Sequence, residues 1–331
     1  MNSAPRALLI TSFAALLLLL TAVAVYALVH IRAVEKVERE WQKNRVERLP
    51  NFGATQGLRI TPLVNWHALD PDLKTEAGVS YLIQTDQHQL LFDVGFNQKD
   101  AQLSPLQHNM DALGIELDAI DTLFISHNHL DHAGGQSWVD QGSFSLGQQQ
   151  LALGETRIFA LPPLQYPGSR VQHVTKPMII GDGLASIGPI SRQLFMGAID
   201  EQALAINVAG KGIVLVVGCG HQTLAKILQR YDQLFDQPLY GIVGDLHYPL
   251  PDGRLSLFGI NLQRYLASGS GPWNPIVETD VRADIARLDQ RGLGVIGLGG
   301  HDTSDVVIGW FKNVFGQRYH PVRVGDTIVI N

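Results

Sequence analysis

A single cysteine in 331 residues, Cys219, rules out any disulfide within the chain. Charged residues are scarce, at 17%, and no basic run stands among them. Residues 1–50 hold seven Lys and Arg against four Asp and Glu, and the remainder holds eighteen against 27. The leading segment therefore carries +3 and the rest −9. An acidic body without a basic stripe speaks against polynucleotide binding as the main task. There is no short-period repeat and no low-complexity tract. What remains is a chain with 45% hydrophobic residues, long enough to bury one large core or two.

Charge is missing altogether from Ala7 to Val29, "ALLITSFAALLLLLTAVAVYALV", a run long enough to cross a bilayer as a helix. A cleaved signal peptide would have a shorter apolar stretch. Ala22-Val23-Ala24 could serve as its cleavage site, but the run continues past it. The expected organisation is a short tail at 1–6, a transmembrane anchor at 7–29 and a charged juxtamembrane helix at 30–50. A single domain follows at 51–331, with the break at Leu49-Pro50-Asn51-Phe52-Gly53. Arg32, Lys36, Arg39, Lys43, Arg45 and Arg48 favour a cytoplasmic C-terminal side, whereas interleaved Glu35, Glu38, Glu40 and Glu47 dilute that bias. The orientation stays open.

Beyond residue 58 short apolar runs alternate with helical stretches. Residues 79–83 and 89–92 form one hairpin pattern, and 203–208 and 212–217 form another around Ala209-Gly210-Lys211. Strands are predicted at 122–126, 239–243 and 294–298, and helices at 104–114, 222–231 and 279–291. A Gly/Pro/Ser-rich loop covers 249–275 and holds Trp273, a lid candidate. The pattern suits an α/β domain of two similar halves, each a sheet with helices outside.

Ligand-type residues are concentrated at one point. Ser126-His127-Asn128-His129-Leu130-Asp131-His132, "SHNHLDH", follows directly on the apolar run 122–125. With twelve histidines in the chain, a chance HxHxDH match is on the order of one in a thousand. Imidazole and carboxylate suit zinc and similar divalent ions. His127 and His129, two apart on an extended turn, can face one ion. Asp131 and His132 on the next bend can face a second. Gly134-Gly135 lets the backbone pack closely behind them. His221 ("VVGCGHQTL"), Asp245 ("GIVGDLHYP") and His301 ("GLGGHDTSD") each follow a predicted strand, where open sheets place ligands. Asp93 ends a strand as well. It reads as an orienter of a ligating histidine, or as a turn-forming aspartate. Cys219 reads as packing.

The order HxHxDH, His, Asp, His resembles the metallo-β-lactamase superfamily. "GVSYLIQTDQHQLLFDVG" resembles its opening hairpin, with Asp93 at the supporting aspartate. "NMDALGIELDAIDTLFISHNHLDHAGG" and "DEQALAINVAGKGIVLVVGCGHQTL" are similar to the metal-dependent hydrolase branch that includes dihydropterin-ribofuranosylaminobenzene-phosphate synthase-like proteins. The resemblance covers residues 58–331 and implies a four-layer αββα sandwich. It assigns His127, His129 and His221 to one metal and Asp131, His132 and His301 to another. Asp245 would bridge them, with His247 as the alternative because this branch commonly carries Gly-Gly-Phe-His there. Asp302 and Ser304 depart from the branch's usual Cys and Gly, which weakens any transfer of substrate.

The implied cofactor is a pair of divalent ions, zinc first, with iron or manganese as alternatives. The implied protein is a membrane-anchored hydrolase of a small ester, lactone or phosphodiester, in which Asp131 also orients the nucleophile or relays its proton. His129, where flavodiiron relatives carry Glu, favours hydrolysis over oxygen reduction. A synthase-type reaction on a pterin-like phosphate and a non-catalytic metal-binding membrane protein are the alternatives.

Overall fold

In the computed structural model, the apolar run lies inside one helix, α1 (Ser3–Lys43). Residues 3–195, 197–269 and 271–331 are described, with side chains from residue 11 onward. Of the expected tail 1–6, residues 1 and 2 lie outside the described residues, and residues 3–6 are already helical. Phe13, Leu18 and Leu19 are each more than 60% exposed. The helix is long and apolar enough to cross a membrane. It ends at Lys43 rather than near Leu49, so the juxtamembrane part is helical only in its first two-thirds. The Leu49 amide is instead donated to the Leu234 carbonyl at 3.0 Å. The chain divides into two compact units, one up to Arg45 and the other Val46–Asn331.

The second unit begins with β1 (Leu58–Val64), β2 (Ser80–Thr85) and β3 (Gln89–Phe92). Then come α2 (Pro105–Ala112), β4 (Thr122–Phe124), α3 (Gln136–Asp140), β5 (Arg157–Ala160) and β6 (Val171–His173). Alternation along these strands decides which core each side chain enters. Tyr81, Ile83, Leu90, Phe92 and Phe124 point into the core between the sheets. Leu82, Leu91 and Leu123 point the other way, against Leu106 and Met110 of α2. Both faces are apolar because both are covered.

The remainder contributes β7 (Met178–Gly181), β8 (Leu184–Ser186), β9 (Ile190–Leu194), β10 (Gly197–Glu201), β11 (Leu204–Val208), β12 (Gly212–Val217), α4 (Leu224–Leu234) and β13 (Leu239–Gly244). After these come β14 (Ser256–Leu257), β15 (Ile260–Asn261), α5 (Leu262–Ala267), α6 (Glu278–Gln290), β16 (Val295–Leu298), α7 (Asp305–Phe315), β17 (Tyr319–Pro321) and β18 (Ile328–Ile330). Two seven-stranded sheets result, ordered β18-β1-β2-β3-β4-β5-β6 and β17-β16-β13-β12-β11-β8-β7. Leu204, Ile206, Val214, Val216, Val243 and Val295 of the second sheet share the core with the inward face of the first. With helices outside, this is the expected αββα sandwich. The region 249–275, expected as loop, contains the β14–β15 hairpin and α5.

The chain segment after the histidine cluster requires glycine. Gly134 has φ +85°, and a Cβ there would lie 2.0 Å from the Ser145 carbonyl oxygen. Gly134→Ala is expected to cost about 2–4 kcal/mol, from the left-handed backbone and the overlap together. Denaturant unfolding would read it, and an unchanged midpoint would mean that the turn is not held against residue 145.

Candidate metal centre

Each chemical residue follows a strand, at the C-terminal end of a parallel pairing. β3, β4 and β5 run parallel, as do β12, β13 and β16. Asp93 follows β3, the cluster follows β4, His221 follows β12, Asp245 and His247 follow β13, and His301 follows β16. The two sheets bring these ends together. Ring centroids of His127 lie 4.8 Å from His129, 4.1 Å from His132 and 5.3 Å from His221. His132 and His301 are 5.5 Å apart, and His221 and His247 4.6 Å.

The hydrogen bonds around these rings fix which nitrogen is left over. Ser126 donates its backbone N–H and its hydroxyl to Asp93, each at 2.7 Å. The Ser126 Oγ is then 2.9 Å from His127 Nδ1, so it accepts from that nitrogen and leaves His127 Nε2 bare. His132 Nδ1 donates to Asp93 Oδ2 at 2.6 Å. His247 Nδ1 donates to Asp302 Oδ2 at 3.0 Å, and its Nε2 is likewise bare. Asp93 therefore orients a histidine pair, the carboxylate–histidine arrangement that supports ligands in metal sites. Asp93 and His247 both adopt φ +56°, a conformation costly for non-glycine residues.

Burial first, and then the neighbouring histidines, push His127 and His221 well below the usual imidazole range. Burial lowers His129 as well, against Asp131. These rings are neutral, the form that ligates a metal. Burial raises the Asp131 carboxyl, but His301, His132 and His129 outweigh it and hold it below the usual carboxylate range. His301 Nε2 lies 3.1 Å from Asp131 Oδ2. Burial would depress His301, yet the charges of Asp302 and Asp131 carry it up to about 10.

The donor set fits divalent metal. His127 Nε2, His221 Nδ1, His301 Nδ1 and His247 Nε2 are buried with no hydrogen-bond partner among the described residues. Buried polar atoms are otherwise almost always satisfied, and a bound ion is a standard reason for exceptions. Among the described residues, four groups have ligand atoms within 4.8 Å of one another: His127 with Cys219 and His221, His132 with Cys219 and His301, His127 with Asp131 and His132, and His221 with His247 and Asp302. His129 enters through His221, whose Nε2 is 3.1 Å from its Nδ1.

Three features depart from expectation. Asp245, expected as the bridge, is in none of these groups, whereas His247 is in one. The Asp245 carboxylate lies back near Asn65 and Gly299, where burial raises it to about 6. Cys219, expected as packing, has its Sγ 2.9 Å from His132 Nε2 and belongs to two groups, between the halves of the cluster. Burial holds its thiol well above the usual range. Asp302, noted only as a departure from a pattern, is buried against His247 and His301.

Sequence reading also missed Glu201. Its buried carboxylate accepts the backbone N–H groups of Cys219, Gly220 and His221 at 2.8–2.9 Å. Burial raises it to about 7, and those three amides oppose the rise. A charged residue directly before an apolar strand, in "DEQALAI", was the available signal. Beside the cluster a cavity of about 200 Å³ is lined by His221, His247, Arg192, Ser268, Gly269 and Asp284, among others. Of the 249–275 segment, Ala267, Ser268 and Gly269 line this cavity, and Trp273, the lid candidate, is not among the lining residues.

The family model of the metallo-β-lactamase superfamily matches residues 73–141, which span the histidine cluster. A 7,8-dihydropterin-6-methyl-4-(β-D-ribofuranosyl)-aminobenzene-5′-phosphate synthase of Methanocaldococcus jannaschii is 22% identical over 242 residues, 60% of this chain and 80% of its own. Among solved structures, Tm1679, a metal-dependent hydrolase of the β-lactamase superfamily, superposes with a TM-score of 0.55 at 17% identity. That match covers 82% of this chain and 98% of Tm1679. The metallo-β-lactamase fold protein YhfI of Bacillus subtilis gives a TM-score of 0.48 at 14% identity, over 83% of this chain and all of its own.

Proposed function

We propose that the chain is a membrane-anchored hydrolase of metallo-β-lactamase type with a dinuclear, zinc-type centre, a reading supported by the superfamily's model matching residues 73–141. The observation that carries this reading is the convergence, from four strand ends, of buried histidine nitrogens without partners. In this reading His127, His129 and His221 hold one ion, and Asp131, His132 and His301 hold the other. Cys219, His247 and Asp302 are within reach as further donors. Bound divalent metal would supply Lewis acidity and a hydroxide nucleophile at neutral pH.

The protein's own residues then have distinct tasks. Asp131, held ionised, can orient the nucleophile through its carboxylate. Asp93 fixes the rings of His127 and His132, one of them through Ser126. Glu201 fixes the loop that carries His221. The cavity beside His221 and His247 has room for a small ester, lactone or phosphodiester. A second reading rests on the M. jannaschii relative, whose name describes a synthase acting on a pterin-like phosphate. Turnover of such a phosphate, with none of simple esters, would select it. A panel of esters, lactones and phosphodiesters, run beside metal analysis, separates the two.

Metal uptake should depend on pH with a definite sign. His301 keeps its proton up to about 10 in the metal-free protein, so an incoming ion must displace it. Affinity is expected to rise with pH across the neutral range, by about tenfold per unit for each displaced proton. Titration calorimetry in buffers of different ionisation enthalpy would measure the protons released. Uptake that releases none would remove His301 from the ligand set.

A further inference from the structure

The β14–β15 hairpin is built inside out. Its register pairs Ser256 with Asn261 and Leu257 with Ile260. Side chains alternate between the two faces of a strand, so Leu255 shares the Leu257–Ile260 face and Ser256 shares the Asn261 face. The polar face is the one tied down: Asn261 donates to the carbonyls of Pro249 and Pro251 and accepts from the Arg264 amide. The apolar face looks outward. Leu255, Leu257 and Ile260 are 52–55% exposed, and Phe258 at the tip is 95% exposed. No charge occurs from Leu255 to Gln263.

The turn itself shows the same inversion. Phe258 has φ +49° and Gly259 φ +76°, a two-residue turn with both residues left-handed. Such turns favour Asn, Asp or Gly at the first position, because a bulky side chain is strained there. A phenylalanine in that place, wholly outside the protein, has no folding rationale. Tyr265 and Trp273, of the aromatic type that settles at membrane interfaces, are also exposed on this segment.

We propose that this hairpin is a membrane-dipping element, with Leu255, Leu257, Phe258 and Ile260 inserted into the acyl boundary of a phospholipid bilayer. The inference rests on the reading of α1 as an anchor, which tethers the same chain to a bilayer. A lipid surface is the one neighbour such a tether keeps permanently close. Short apolar projections of this kind bury at the headgroup–acyl boundary. An exposed apolar cluster of this composition is otherwise a liability in a soluble domain. The segment continues into the cavity wall at Ala267, Ser268 and Gly269, so lipid contact would also hold that wall over the site.

The test uses the full chain in phospholipid nanodiscs, with a nitroxide attached at Phe258→Cys and, separately, at Ile260→Cys. Lys211→Cys, on an exposed turn, is the water-facing reference. Power saturation compares collision with oxygen, enriched in lipid, against a nickel chelate, confined to water. The oxygen-to-nickel ratio at 258 and 260 is expected to exceed that at 211 several-fold. A ratio equal to the reference overturns the proposal. So does loss of access to both reagents, which would mean that a protein surface covers the hairpin. A label at Leu18→Cys tests the anchor independently: a deep reading there with a watery one at 258 would sink the hairpin alone.

Discussion

His127→Ala and His301→Ala, made separately, should each lose bound metal and nearly all activity. A site of about four donors binds zinc with about 10–16 kcal/mol in total, so each donor carries about 2.5–4 kcal/mol, or roughly a hundred- to several hundred-fold in affinity. The two residues come from opposite sheets, one after β4 and one after β16. A shared loss would therefore report one assembled centre rather than two local sites. His127 has its Nδ1 engaged by Ser126 and only Nε2 to offer, so alanine leaves nothing behind it to substitute. His301 Nε2 is near both the partly exposed Asp131 and the buried Asp302, and its removal takes that shared partner from both carboxylates. The folded protein is expected to survive in each case, because the cores lie away from these loops. Full activity and metal content in both variants would refute the ligand assignment.

Glu201→Ala is expected to have the largest effect on stability. Its carboxylate is the acceptor for three consecutive buried amides, and alanine leaves all three unsatisfied. At about 1–3 kcal/mol for each orphaned donor, the loss is at least about 3 kcal/mol, a large share of the 5–15 kcal/mol typical of a domain. Glu201→Gln should fall in between, because one carbonyl oxygen remains as acceptor while the new amide opposes an N–H. Chemical denaturation of the metal-free protein measures this, and the loosened loop should also weaken metal binding through His221. An unchanged unfolding midpoint in Glu201→Ala would show that other groups hold the loop.

The parts of the fold that could be read from sequence are those where period-two apolar runs meet short turns. The hairpins at 80–92 and 204–217 and the strands leading to the cluster, Asp245 and His301 belong there. The cluster itself was legible because its four ligand-type residues fall within six positions. Contacts made by distant backbone were not. Glu201 acts on amides 18–20 residues away, and Asp302 reaches back to His247 only after the last loop closes. The pairing of β18 with β1 joins residues some 270 apart, with no local signal at either end. Asp245 and His247 are two apart on one loop, so sequence alone could not choose between them. Left-handed backbone at His247 turns its ring toward His221, and this is where the geometry departs from the expected bridge. The 256–261 hairpin escaped notice because its alternation points its apolar side chains outward.

The most direct measurement is anomalous diffraction at the absorption edge of the native metal, on crystals grown without chelator. Two peaks are expected, one among His127, His129 and His221 and one among Asp131, His132 and His301. Full-occupancy density for ordered water at both places, with no anomalous signal at either, would mean that these residues were gathered for some purpose other than holding metal.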